Sequence, residues 1–513
     1  MAFTSSSTDR LRALGQASLV SSTARTATAA DVVQDSQALA AALRHLGCAP
    51  GEVAVVLVGA GVDLLVVVHA AIQAGLMLAL IDPEMGPGHF KAKLAQLEPS
   101  VVFADSRLLL LQEHPVAYVL LRRWRDVPYV PRFGRATLVS VGPWVPMMRR
   151  HHRLANLVRR GRRLQVTEPT AQRRTGECLI TYTSGTLAEP KGVVHTLDGL
   201  DVSIRALASV IGDPVGQRIA THLPHYVLLG TCIGIPVFVW QREWDPSGKL
   251  QFMRQHGITT LFGPPADFVP LMRTLTQSGQ RFPESVRLVM LGSAPVHPGF
   301  LERLKECLLP HVRVLCLYGM TEHLLVATAT MAEKLASGVE GDYIGRPVDG
   351  VDVRIEDDGE LLVRSGQGFS RYLNDRDGSE WHATGDLARR APDGSITLLG
   401  RKKDMIIRGN FNLYPSLYEA TVSRIPGVEA AAFVGVYDEA AADERVYLVV
   451  EPLPACTDHD ALGRRLAALL RDGEFAIDRE AWPDTILVRD LPRSGRSRKV
   501  DKARLREHLG DPS

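Results

Sequence analysis

The run Val53-Ala54-Val55-Val56-Leu57-Val58 is continuously apolar, follows a turn at Pro50-Gly51 and is preceded by a helical stretch over Ala38 to Leu46. A second amphipathic helix leads from it to Met77-Leu78-Ala79-Leu80-Ile81. Short apolar runs that alternate with helices predict parallel strands buried on both faces. Further runs of the same kind at Ser100–Phe103, Cys178–Tyr182, Thr259–Phe262, Val286–Leu291 and Val312–Leu317 extend the pattern, so the fold class is α/β. After about Gly341 the pattern shifts to short alternating strands with Gly and Asp-Gly turns, at Val351–Glu356, Gly359–Ser365 and Ile396–Leu399. A second shift at Gly400-Arg401-Lys402-Lys403-Asp404 opens a compact α+β pattern with strands near Ala430–Val436 and Arg445–Val450. The predicted organisation is a flexible leader over 1–30, a large N-terminal region over 31–400, and a separate α+β domain over 401–513. The large region holds two α/β subdomains and a small antiparallel β subdomain at about 341–400.

The leader is rich in Ser, Thr and Ala and lacks the charged start and apolar core of a secretory signal. At 513 residues, with 45% hydrophobic and 23% charged positions, the chain suits several soluble structural units. Its net charge of +2, from 59 basic and 57 acidic residues, excludes nucleic-acid binding by overall electrostatics. Any anion site is therefore local. The six cysteines have no Cys-x-x-Cys spacing and read as reduced thiols of a cytoplasmic protein. The apolar stretch Val53–Leu80 is interrupted by Asp63, His69 and Gln73, which predicts no transmembrane helix. Between Val127 and Thr167 there is no Asp or Glu but nine arginines, including the pairs Arg149-Arg150, Arg159-Arg160 and Arg162-Arg163. The segment over 149–163 reads as a solvated helical face or as a peripheral contact with anionic lipid or a carrier protein.

The segment Tyr182-Thr183-Ser184-Gly185-Thr186-Leu187-Ala188-Glu189-Pro190-Lys191-Gly192 follows a predicted strand. Its hydroxyls, glycine and lysine suit a polyphosphate, with backbone N–H groups and hydroxyls donating while Lys191 offsets charge. A P-loop NTPase is disfavoured, because G-x-x-x-x-G-K-[ST] is missing and Lys191 stands after a proline. The segment resembles the phosphate-binding signature of the adenylate-forming (AMP-binding) superfamily, which includes acyl-CoA synthetases, peptide-synthetase adenylation domains and luciferases.

The resemblance continues in order. Gly292-Ser293-Ala294-Pro295 is similar to the family's adenine-lining turn and Tyr318-Gly319-Met320-Thr321-Glu322 to its adenine and magnesium motif. Gly345-Arg346-Pro347 is similar to the turn into the β subdomain, Thr384-Gly385-Asp386 to the ribose motif, Gly400–Asp404 to the hinge and Ser497–Lys502 to the C-terminal lysine motif. The resemblance implies an AMP-binding domain over 31–400 and a mobile C-terminal domain that turns about Lys403 and Asp404. It implies that ATP is bound by Thr183, Ser184, Gly185, Thr186, Lys191, Gly292–Pro295, Tyr318, Gly319, Met320, Asp386 and Arg401. Thr321 would contact the α-phosphate, Glu322 would hold Mg²⁺, and Lys499 would bridge the substrate carboxylate and the α-phosphate. Gly409 and Asn410, within Arg408–Pro415, would line a tunnel for a thiol.

Several positions depart from the family pattern. Leu187 and Ala188 replace Thr/Ser-Gly, Val227 stands where a histidine is usual, Leu417 replaces a glutamate, and Arg498 replaces a glycine. The nearby His225 is expected to be packed. The implied activity is Mg·ATP-dependent formation of an acyl-AMP from a carboxylic acid, with transfer to CoA or to an acyl carrier protein. The apolar stretch Tyr226–Val239 favours a medium or long fatty acid. Ile81–Gly86 and the Pro224 segment are similar to the olefin-pathway β-lactone synthetases, in which the hydroxyl of a 3-hydroxy acid displaces AMP. A nucleotide-binding protein without turnover is the alternative of another class.

Overall fold

The computed structural model describes residues 18–22, 25–81, 87–113, 133–143, 151–164, 176–182, 190–367, 369–374, 380–408, 411–438, 443–494 and 499–510. The chain divides into two compact units. The first comprises 1–262, 320–324 and 366–378; the second comprises 263–319, 325–365 and 379–513.

The first unit is built on an eight-stranded sheet in the order Arg371–Tyr372, Gly192–Thr196, Glu177–Tyr182, Met77–Leu80, Val53–Leu57, Pro99–Asp105, Thr137–Val141 and His152–Arg153. The pairings from Glu177–Tyr182 onward are parallel, whereas the two at the Arg371–Tyr372 edge are antiparallel. Val55, Ala79, Val102 and Ile180 are fully buried, as continuous apolar runs require. A further group in this unit pairs Ile219–Thr221, Val237–Val239 and Ser18–Ser22 in parallel.

Two expectations meet the structure here. The leader is ordered in part: Ser18–Ser22 pairs antiparallel with Thr26–Thr28, and a helix starts at Ala29. Thr28 caps that helix through a reciprocal box with Asp31, so the Ser and Thr of 18–22 and 26–28 serve strand and cap positions, while 1–17 lie outside the described residues. In the Arg-rich segment, helix Leu154–Gly161 buries Leu154, Leu157 and Val158. It packs on helix Ala29–His45 so closely that a Cβ at Gly161 would lie 1.8 Å from the Ala38 carbonyl oxygen. Its apolar face is thus spent inside the fold, and Arg162 pairs with buried Asp35. Arg149 and Arg150 lie outside the described residues. Among the described residues no helix is long and apolar enough to cross a membrane.

The second unit carries the parallel pair Leu288–Leu291 and Arg313–Tyr318. It continues antiparallel through Ala327–Thr330, Asp342–Pro347, Ile396–Arg401, His382–Arg390, Glu360–Ser365 and Val351–Ile355. The predicted β subdomain is therefore present, except that Arg371–Tyr372 leaves it to pair with Gly192–Thr196 in the first unit. Residues 401–513 fall within the second unit, where they form a small C-terminal α+β domain. Their core is the sheet of Val428–Asp438, Asp443–Pro452 and Thr485–Val488, packed around Phe433, Leu448 and Leu466. Physical reasons for the grouping include Glu429, which accepts from Arg273 and Arg303 at 3.2 and 3.4 Å, and Gly299, which abuts the Ser423 carbonyl.

Candidate active site

In the first unit, strand Glu177–Tyr182 ends where the predicted phosphate segment begins. Thr183, Ser184, Gly185 and Thr186, with Leu187 and Ala188, lie outside the described residues. Both flanks of the segment are held: the Tyr182 hydroxyl donates to the Lys93 carbonyl at 3.0 Å, and the Gln96 amide donates to the Pro190 carbonyl at 2.9 Å. Beneath it, Thr181 Oγ1 lies 2.9 Å from His195 Nε2. Burial lowers the His195 imidazole to about 4, so it is neutral at pH 7 and shares its hydrogen bond as an uncharged ring. Lys191 Nζ lies 5.3 Å from the centroid of the Tyr372 ring, within range of a cation–π attraction.

Glu322 is 7% exposed. Its Oε1 accepts from the Tyr372 hydroxyl at 2.9 Å and its carbonyl from the Phe369 N–H at 3.1 Å. Thr321 beside it is half-buried, and Met320 N–H donates to the His323 carbonyl at 2.8 Å. Among the described residues no salt bridge reaches Glu322, and no cluster of three metal-binding side chains occurs. A lone buried carboxylate fits Mg²⁺ that takes its other ligands from phosphate oxygens and water, the usual arrangement for this ion.

In the second unit, Gly292–Pro295 and Tyr318-Gly319 leave the carboxyl ends of two adjacent parallel strands, where ligands of α/β sheets are bound. Ser293 has φ 65°, an unusual value for a residue with a Cβ. Asp386 and Arg401 face each other in the antiparallel register, which brings Arg401 Nε to 2.7 Å from Asp386 Oδ1. The Tyr318 hydroxyl donates to Asp386 Oδ2 at 2.5 Å, and the Asp386 N–H donates to Thr384 Oγ1 at 3.0 Å. Burial raises the Asp386 pKa, with Arg401 and the Tyr318 hydroxyl acting against it. A carboxylate has about four acceptor sites, so two remain for the hydroxyls of a ribose.

Lys499, in the same unit, is half-buried. Burial and then Arg401 lower its pKa, Asp386 opposes them, and Lys403 adds to the lowering. Lys502 of the same motif is committed elsewhere, to Glu419 at 2.6 Å. Lys403 lies in a short 3-10 turn, Lys402–Asp404, with no buried residue, and Asp404 accepts from Arg506 at 3.2 Å. Gly409, Asn410 and Arg498 lie outside the described residues.

The structure thus brings Lys191 and Glu322 together around Tyr372, and Tyr318, Asp386 and Arg401 together around the ribose motif. His225 is exposed rather than packed: it is the second residue of helix Pro224–Ile233 and leans on Tyr226 with centroids 4.0 Å apart. Val227 is fully buried, and Leu417 packs toward Gly341. Tyr372 was not foreseen. Its sequence trace is a two-residue strand after Gly366, too short for any periodicity to mark.

The family model for AMP-binding enzymes matches residues 9–373. A 4-chlorobenzoate–CoA ligase from an Arthrobacter species is 28% identical over 366 residues, 66% of this chain and 67% of that relative. A long-chain-fatty-acid–CoA ligase from Yersinia pestis is 24% identical over 468 residues, 83% of this chain and 81% of that relative. The solved structure of an amide bond synthetase from Marinactinospora thermotolerans matches 99% of this chain and 100% of its own with a TM-score of 0.79 at 23% identity, a likeness of fold.

Proposed function

This chain belongs to the AMP-binding enzyme family, and from that premise we propose that it joins a carboxylic acid to a thiol such as CoA through an acyl-adenylate. It is an adenylate-forming ligase. In the proposed first step an oxygen of the substrate carboxylate attacks the α-phosphorus of ATP and pyrophosphate leaves. In the second the thiol attacks the acyl carbon and AMP leaves. The observation that carries this reading is buried Asp386, held by Arg401 at 2.7 Å and by the Tyr318 hydroxyl at 2.5 Å, in the unit that also holds the half-buried Lys499. Lys499, which feels the charges of Asp386 and Arg401, would offset repulsion between two anions as they react.

Asp386 would fix the ribose, Lys191 the outer phosphates, Thr321 the α-phosphate and Gly292–Pro295 the adenine. When bound, Mg²⁺ at Glu322 would spread the charge of the phosphates. Residues 401–513 would turn about Lys403 and Asp404 between steps, so that Lys499 leaves before the thiol arrives through the Gly409-Asn410 loop. The acid would be an apolar one. The two ligases reported above act on an aryl acid and on long-chain fatty acids, and the partly buried Tyr226 and Phe262 meet edge to face at 3.5 Å.

The test is release of AMP and pyrophosphate from Mg·ATP with 4-chlorobenzoate, hexadecanoate or 3-hydroxyhexadecanoate, each with and without CoA. Release that needs both acid and CoA is expected. Release without CoA, confined to the hydroxy acid, would move the chain to β-lactone formation. No acid-dependent pyrophosphate from a broad panel of acids would leave a nucleotide-binding protein without turnover.

A further inference from the structure

We propose that Tyr372 is a positioning residue that joins the metal carboxylate Glu322 to the phosphate lysine Lys191. The proposal rests on the reading that Glu322 faces a divalent ion. Tyr372 owes its place to backbone pairing: Tyr372 is opposite Val193 and Arg371 opposite Val194, in the strand that begins directly after Lys191. Ser370 N–H donates to the Val194 carbonyl and Leu373 N–H to the Gly192 carbonyl, each at 2.7 Å. Gly192 permits the approach, because a Cβ there would lie 3.0 Å from Leu373 Cβ and 3.3 Å from the Tyr182 ring. On the outer side Arg371 grips Glu177 with two parallel contacts of 2.8 Å, the geometry in which Arg–carboxylate pairs are most directional.

From this base Tyr372 reaches two groups at once. Its hydroxyl holds one oxygen of Glu322, and its ring face lies under the Lys191 ammonium. The same short segment also takes the main chain of Glu322 through Phe369 N–H, and the Phe369 and Tyr372 rings are 4.8 Å apart. A buried carboxylate that must receive a hard cation needs its orientation fixed and its charge kept. A phenol does both, whereas an arginine in that place would neutralise it. The ring face meanwhile holds the lysine without consuming a carboxylate.

Two variants separate these roles. Tyr372→Phe removes the hydroxyl and keeps the ring; Tyr372→Leu removes both. We would measure Mn²⁺ affinity by electron paramagnetic resonance in the presence of a non-hydrolysable ATP analogue, and acid-dependent ATP–pyrophosphate exchange against Mg²⁺ concentration. Tyr372→Phe should bind Mn²⁺ about 10- to 100-fold more weakly, the usual effect of losing a partner of a metal ligand, and its exchange should recover at high Mg²⁺. Tyr372→Leu should in addition raise the half-saturating ATP concentration at saturating Mg²⁺. Both variants lack the hydroxyl, so either one that retains the wild-type circular dichroism spectrum is sufficient. Wild-type Mn²⁺ affinity in a folded variant would overturn the positioning role. Wild-type protein that neither exchanges pyrophosphate nor binds Mn²⁺ would instead overturn the function on which the role rests.

Discussion

Asp386 in the second unit and Glu322 in the first are buried to nearly the same degree, 5% and 7% exposed, yet their surroundings answer the cost of that burial differently. Asp386 has a guanidinium at 2.7 Å and a phenol at 2.5 Å. Glu322 has a phenol at 2.9 Å and, among the described residues, no cationic partner in a salt bridge. An ion taken from water into a protein interior loses several kcal/mol unless it is paired. Asp386 is paired within the fold, so its remaining lone pairs suit neutral hydroxyls. Glu322 has no such partner among the described residues, so it suits an arriving cation. What stands beside two similar side chains therefore suits them to different ligands.

The comparison can be broken in four ways. The largest effect is expected from Lys499→Ala. Acid-dependent pyrophosphate exchange should fall about 100- to 1000-fold, as for other fixed electrostatic donors, while thioester formation from supplied acyl-adenylate continues. Equal loss in both steps would mean that Lys499 supports the fold rather than the first reaction. Next come the two carboxylates themselves. Asp386→Asn should raise the KM for ATP by about 10- to 100-fold, the scale of hydrogen bonds to a charged group, without changing the Mg²⁺ requirement. Glu322→Gln should raise the Mg²⁺ requirement. Identical metal dependence in the two variants would erase the contrast.

A smaller effect concerns pH. Burial lowers both His69 and His195 from 6.5 to about 4. Between those values the unfolded chain binds protons that the folded chain refuses, so stability is full above about pH 6.5 and falls as pH drops toward 4. The urea midpoint should decline across that window, and His195→Gln should flatten part of the decline. A midpoint independent of pH there would show that the histidines are accessible. The smallest effect is expected from Glu177→Gln. The pair with Arg371 is about one quarter exposed on each side, so stability should change by less than about 1 kcal/mol. A larger drop in melting temperature would mean that the Arg371–Tyr372 strand depends on this pair more than on its backbone bonds.

Much of this architecture was readable in the order of residues. The runs at Val53, Met77, Ser100 and Cys178 became strands because a continuous apolar run of that length has few other places to go. Asp386 and Lys499 could be singled out because each sits in a local motif. The partners of those motifs were less legible. That Arg401 would stand opposite Asp386 depends on the register of two strands, including a shift between Leu387 and Ala388. Tyr372 meets Glu322 fifty positions away in the chain, through a strand of two residues that carries no pattern of its own. The described end of the leader, from Ser18 on, was hard to read for a related reason: Ser and Thr serve disorder, strands and helix caps alike, and Thr28 forms its capping box with Asp31.

The pairing of Arg371–Tyr372 with Gly192–Thr196 also has a meaning for how the chain is made. The strand at 192–196 is complete about 175 residues before its edge partner leaves the ribosome. At about 5–20 residues per second, that edge waits roughly 10 to 35 s with its hydrogen-bonding groups unmet. During that interval the nascent sheet offers other strands a place to attach. A chain interrupted anywhere before Tyr372 would keep the offer open indefinitely, and fragments of this protein ending there should aggregate where the longer chain does not.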